Sequence, residues 1–206
     1  MNFNKNILSK KFYLNNAKIV AVNLLGKVLV RRMDDKILSG IIVETEAYFG
    51  ENDPASRASK GYKNFNKLMW EEGGKTFIYM VHGNWLLNIV TSPQNIPSAV
   101  LIRALQPLEG IEIMKKNRGI DNIYRLTSGP GMLTKALKID KSLNGVEVTS
   151  PQSPICIEDR GYKVFKICCS HRIGVKRDLP EKLRFYIKDN PFVSIPRKCQ
   201  QYFDKS

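Results

Sequence analysis

The chain of 206 residues contains no apolar run near the roughly 20 residues that a membrane-spanning helix needs. Its opening stretch, Met1 to Lys11, has no apolar segment of the secretory type. A membrane location is therefore not expected. The expected compartment is the cytoplasm, with nucleoid association if the source is bacterial. Imidazole is scarce: only His82 and His171 are present. Cysteine is scarce too, at four residues, and no pair shows the Cys-x-x-Cys spacing of a zinc site. Neither a metal nor another cofactor is expected. Cys168 and Cys169 are adjacent while Cys156 and Cys199 stand apart, a pattern read as buried free thiols. There is no repeat, no low-complexity tract and no linker, so residues 1–206 read as one domain.

Acidic residues are in short supply as well. Against 33 Lys and Arg stand 19 Asp and Glu, a formal net charge of +14. The excess is spread along the chain, with clusters at Lys10-Lys11, Arg31-Arg32, Lys115-Lys116 and Lys176-Arg177. Solubility alone can account for such a balance, but a polyanionic partner explains its size better. Hydrophobic residues make up 43% of the chain, enough for a packed core rather than a disordered polymer.

Patterning predicts an α+β fold with a curved, mostly antiparallel sheet and surrounding helices. Ser9 caps a helix that runs through Phe12, Leu14, Ile19, Val22 and Leu25 to Gly26. Lys27–Met33 and Ile37–Tyr48 read as a strand pair turned at Asp34-Asp35. Residues 50–64 form a polar loop, and Asn66–Glu71 a short helical turn. Thr76–His82 and Trp85–Thr91 make a hairpin turned at Gly83-Asn84. A strand at Ala99–Leu105 follows. Pro107 opens a helix that ends at Gly119, and a further helix spans Met132–Leu137. Short strands lie near Ile155–Ile157, Val164–Cys168 and Leu183–Ile187.

Three stretches carry chemistry. In the run from Gly40 to Gly50, strand alternation points Glu44 and Glu46 to one face, together with Ile42 and Tyr48. Carboxylates on a core-facing strand are costly unless paired or used. Tyr48 adds a flat ring beside them. Glu44 can share a site with Glu46, or pair with Arg103 or another base. The second stretch, Phe77 to Asn88, sets Tyr79 and His82 near a hairpin tip. By spacing, Tyr79 fits a core strand position and His82 a turn. The competing reading makes them a pocket wall and a wedge between bases. In the third, Arg103 sits within the apolar strand VLIRAL and needs an anionic partner.

These stretches together resemble the alkyladenine (3-methyladenine) DNA glycosylase family. The resemblance runs through ETEAY at Glu44–Tyr48, the loop GENDPAS, the hairpin IYMVHG, Asn88 and LIRALQPLEG. It continues through SGPGML at Ser128–Leu133, then RIGV, LRFYI and NPFVS near the C-terminus. It covers nearly the whole chain, in order. What it implies is a monomeric repair enzyme for double-stranded DNA containing damaged purines, with a protruding hairpin that intercalates. The enzyme would flip an alkylated or deaminated purine out of the duplex and hydrolyse its N-glycosidic bond, leaving an abasic site.

By this resemblance Glu46 is the general base that activates water, and Arg103 positions it. Tyr48 stacks on the flipped base and Tyr79 forms another wall. Asn88 crowds the guanine 2-amino group, Leu101 is a lesser wall, and His82 intercalates in place of a tyrosine. Arg57, nine positions after Tyr48, stands where the family usually has a histidine that contacts the base. A guanidinium there repels a cationic purine and turns preference toward neutral lesions. Met132 replaces a frequent lysine after SGPG, and Phe65 an arginine. SGPG itself reads either as a phosphate cradle or as a plain helix start. No lysine marks itself as a nucleophile, so strand-cutting lyase activity is not expected. Two other classes remain on the residues alone: a non-catalytic nucleic-acid binder of the same fold, and an enzyme acting on free nucleosides or RNA.

Overall fold

The computed structural model of the chain describes residues 6–164, 166–195 and 199–203. Among these residues nine antiparallel strands form one sheet, in the order β3-β4-β5-β2-β8-β7-β9 with β1 and β6 attached through β2. They are β1 (Val28–Met33), β2 (Lys36–Tyr48), β3 (Thr76–Val81), β4 (Asn84–Val90), β5 (Ala99–Glu109), β6 (Ile155–Glu158), β7 (Ile167–Ser170), β8 (Arg184–Ile187) and β9 (Gln201–Phe203). Four α-helices among the described residues accompany them: α1 (Lys10–Tyr13), α2 (Ala17–Leu24), α3 (Ile111–Arg118) and α4 (Pro130–Ala136). The architecture is the expected α+β one. Among the described residues no helix is long and apolar enough to cross a membrane.

Strand β2 is the spine. Its first half pairs with β1, its second half with β8 on the same edge, and β5 follows it along the other edge. One face of the sheet carries the main core, where Ala17, Val20, Ala21 and Leu24 of α2 and Leu133 and Ala136 of α4 are buried. A smaller cluster on the opposite face gathers Val43, Ala104, Cys168, Tyr186 and Phe192.

Four local expectations are corrected. The single helix over residues 9–25 is two, broken at Asn15-Asn16. The Asn15 side chain donates to the carbonyls of Lys11 and Phe12, and Asn16 caps α2 by accepting from the Lys18 N–H at 2.9 Å. Short amides favour such ends over helix interiors. The strand that carries Arg103 does not stop at Leu105. It runs on to Glu109, with Pro107 beside a register shift at Ser39/Gly40, and α3 begins only after Gly110. A proline is tolerated in a strand at such an irregularity.

The β3–β4 turn consists of His82 and Gly83, not Gly83 and Asn84. Both have positive φ, 47° and 75°, and Asn84 already pairs with Val81. This is the pattern of a two-residue hairpin turn matched to strand twist. Finally, the cysteines are not all free. Cys168 and Cys199 form a disulfide, while Cys156 and Cys169 remain as buried thiols. Pairing of β7 with β9 brings the two Cα atoms to 5.3 Å, a proximity that 31 residues of sequence separation conceal.

Candidate active site

The site is built on an irregularity in β2. Ile42 pairs with Leu105, Glu44 with Ala104 and Thr45 with Ile102, so Val43 and Arg103 lie at register shifts on either side of Glu44. Such shifts re-aim side chains relative to plain alternation. Ile42 and Ala47 face the main core, and Thr45 hydroxyl donates to the Ala21 carbonyl of α2. Val43 joins the opposite cluster. Ile42 is thus not on the face of Glu44 and Glu46, contrary to the alternation reading. The two carboxylates do converge, because Arg103 donates to both: Nε to Glu44 Oε1 at 2.9 Å and Nη1 to Glu46 Oε2 at 3.2 Å.

Glu44 is a structural anchor in this arrangement. It is fully buried and also accepts from Arg184 Nε (2.8 Å), from the Ser194 N–H (2.7 Å) and from the Ser194 hydroxyl (2.9 Å). Burial pushes its carboxyl up, but Arg103 and Arg184 outweigh that and hold it below the ordinary carboxylate value. Of the two readings open for Glu44, pairing with bases describes the structure.

Glu46 is balanced differently. It too is fully buried, accepting from Tyr48 Oη at 2.8 Å and Arg103 through Oε2, and from the Ile173 N–H at 2.8 Å through Oε1. Burial prevails over the help from Arg103, Ile173 and Tyr48, and pushes its pKa above the ordinary value. Burial also works against the Arg103 charge, yet Glu46 and Glu44 together hold that guanidinium protonated more firmly than usual. Two neighbouring carboxyls with pKa values pushed apart by their surroundings mark a site where one group is held and the other is available.

Tyr48 lies under a third arginine. The Arg172 guanidinium stands 4.5 Å from the centre of the Tyr48 ring. Arg172 is fixed by two contacts to Asp53 (2.6 and 2.7 Å), by Asp178 and by the Ala47 carbonyl. Asp53 in turn accepts from the N–H groups of Phe49 and Ala55, which ties down the start of the 50–66 loop. Burial pushes the Tyr48 hydroxyl well above its usual pKa, and Glu46 adds to this, so it remains a donor.

The remaining candidates lie along the sheet. Cα partners run in one row from Glu46 to Leu101 to Asn88 to Phe77, across β2, β5, β4 and β3. Leu101 is buried in that row. The Asn88 amide is buried and donates to the Phe77 carbonyl at 3.1 Å. Tyr79 is half-buried. Burial raises its hydroxyl pKa while Arg57 and the Asn88 side chain pull it down. The Arg57 guanidinium sits 4.5 Å over the Tyr79 ring, with Arg57 itself exposed and its carbonyl held by the Asn66 side chain at 2.8 Å. His82 is exposed at the hairpin tip and not part of the buried cluster. The SGPG segment starts α4 against the hairpin. A Cβ at Gly131 would lie 2.7 Å from the Asn84 Cβ, and the Thr134 hydroxyl donates to the Trp85 carbonyl.

Arg172, Asp53, Asp178, Arg184 and Ser194 were not singled out as site residues from the sequence. Arg184 carries the signal that flagged Arg103, an arginine inside an apolar strand, here LRFYI. Asp53 lies in the GENDPAS loop, which marked the resemblance but not a role for this residue, and Asp178 is a loop acid that carries no signal.

Arg103 thus clamps two buried carboxylates, beside two tyrosine rings that each carry a guanidinium, on a strongly basic chain. The chain belongs to the methylpurine-DNA glycosylase family, whose model matches residues 11–191. It is 39% identical over 193 residues to a protein of Aeropyrum pernix, covering 93% of this chain and 94% of that one. It is 42% identical over 193 residues to one of Methanocella arvoryzae (91% and 96%) and 40% over 179 residues to one of Mesorhizobium japonicum (86% and 85%). Each of the three is named "Putative 3-methyladenine DNA glycosylase". The enzyme is therefore a DNA repair glycosylase, a hydrolase of N-glycosyl bonds.

Proposed function

We propose that this enzyme acts as a monomer on damaged purines in duplex DNA, using Glu46 to activate water and leaving an abasic site without cutting the strand. The observation that carries this reading is the state of Glu46: fully buried, with its pKa pushed up, and with Oε1 meeting, among the described residues, only the Ile173 N–H. A carboxylate oxygen has two acceptor directions, so Oε1 keeps one for a water proton. A general base with a pKa above the carboxylate norm is a better proton acceptor near neutrality.

In the proposed reaction the water oxygen bonds to C1′ of the flipped nucleotide as the C1′–N bond breaks. The electron pair of that bond leaves with the base, and the water proton passes to Glu46. The sugar develops oxocarbenium character, which the Glu46 carboxylate stabilises. Arg103 keeps Glu46 ionised and aimed. Tyr48, Tyr79, Arg57, Asn88 and Leu101 bound the flipped base. The His82 hairpin enters the minor groove and fills the gap, against an unstacking cost of a few kcal/mol.

The test is single-turnover excision from duplexes carrying hypoxanthine, 1,N6-ethenoadenine or 3-methyladenine, with wild type beside Glu46→Gln. Release by the wild type, lost in the variant while DNA binding persists, supports the reading. Binding without release from any lesion would make the protein a lesion reader instead.

A further inference from the structure

We infer that Arg57 is a specificity determinant that makes this site favour neutral purine lesions, such as hypoxanthine and 1,N6-ethenoadenine, over cationic N-alkylpurines. This rests on the glycosylase reading above. Its basis is how charge is distributed around the two aromatic walls. Each ring already has a guanidinium on it: Arg57 over Tyr79 and Arg172 over Tyr48, both at 4.5 Å. A ring whose π-cloud faces one cation has less attraction left for a second, so the usual cation–π reward for an alkylated base is reduced at both walls.

The two guanidiniums are not equivalent. Arg172 is neutralised by Asp53 and Asp178. Arg103 is neutralised by Glu44 and Glu46. For Arg57 no ion pair is found among the described residues, and its guanidinium lies against the Tyr79 side chain. Among the described residues, its charge at the edge of the site therefore has no acidic partner. The backbone that carries it is pinned, by the Asn66 amide donating to its own carbonyl and by the Ser56 hydroxyl accepting from the next N–H, that of Ala58.

An uncompensated guanidinium acts on the two lesion classes with opposite sign. A cationic base carries its charge into the site and loses it as the C1′–N bond breaks, so Arg57 opposes its entry. A neutral base departs with the bonding electron pair and becomes electron-rich until it takes up a proton. Overall, the hydroxide part of water goes to C1′ and its proton to the base. Arg57 does not supply that proton, since a guanidinium stays charged, but its N–H groups can donate to the purine as negative charge develops there.

The experiment is single-turnover excision from duplexes carrying hypoxanthine and from duplexes carrying 7-methylguanine, by wild type, Arg57→Gln and Arg57→Lys. The readout is the ratio of the two excision rates. Removing the charge is expected to lower the hypoxanthine to 7-methylguanine ratio by about tenfold or more, the size of one charge–charge interaction at partial exposure. Arg57→Lys is expected to fall between wild type and Arg57→Gln. An unchanged ratio in Arg57→Gln, with both lesions still released, overturns this inference alone. A wild type that releases neither base overturns the glycosylase reading, and this inference with it.

Discussion

At the scale of single residues, the site separates two carboxyls that the sequence sets only two positions apart. Because burial raises the Glu46 pKa, the base form is lost at a higher pH than for an ordinary glutamate. The acid limb of the single-turnover rate should accordingly lie above the ordinary carboxylate value. Arg103→Gln removes the largest influence holding that pKa down, and is expected to move the limb further up as well as slow the reaction. A pH–rate profile of both proteins checks this; a limb left in place by Arg103→Gln would contradict it.

Glu44 has the opposite sign. Its folded-state pKa is depressed, so its stabilising contribution is present above the unfolded value and is lost as pH falls through the lower folded one. Glu44→Ala strands Arg103 and Arg184 without their shared partner and should cost about 3–5 kcal/mol in chemical denaturation. Glu44, Glu46 and Arg103 were all legible as residues that need partners, from charge inside apolar strands. Which carboxyl anchors and which remains available was not legible. That depends on Arg184, Ser194 and the Ile173 N–H, which arrive from more than 120 residues away.

At the scale of elements, the pairs β1–β2, β3–β4, β4–β5 and β7–β8 join consecutive strands as hairpin logic expects, but the pairing of β2 with β5 and β8, and its irregularities, do not follow from it. Strict alternation sets Ile42 beside Glu44. Register shifts around Glu44 move it to the main core and let Arg103 reach both carboxylates. No residue in GIIVETEAY announces such a shift, since it arises from pairing with β5. The hairpin tip was legible to within one residue, and the miss has a cause: both turn residues must take positive φ, a demand that His82 meets although its residue type does not advertise it. His82→Asn keeps a residue tolerant of that conformation and removes the ring. It is expected to leave stability within about 0.5 kcal/mol while slowing base flipping, as read by stopped-flow fluorescence of a 2-aminopurine beside the lesion. Equal flipping rates would remove His82 from the wedge role.

At the scale of the whole molecule, the net charge of +14 exceeds what the internal ion pairs need, and a phosphate backbone is the natural counterpart. Affinity for lesion duplex should fall by roughly 10³ or more between 50 and 200 mM salt if about six phosphates are contacted. Fluorescence anisotropy measures this, and a flat salt dependence would favour a free-nucleoside substrate instead. The family was legible because one resemblance ran in order along nearly the entire chain. The Cys168–Cys199 link was not, since it depends on β9 pairing with β7.

The most direct test of the central claim remains base release by wild type and Glu46→Gln under single-turnover conditions on a hypoxanthine duplex. The amide keeps the shape of the carboxyl and removes a charge that burial disfavours, so the variant should fold and bind. The account predicts wild-type release and a loss of about 10²–10⁴ in rate for Glu46→Gln. A variant that binds the duplex and excises at the wild-type rate would show that Glu46 is not the base.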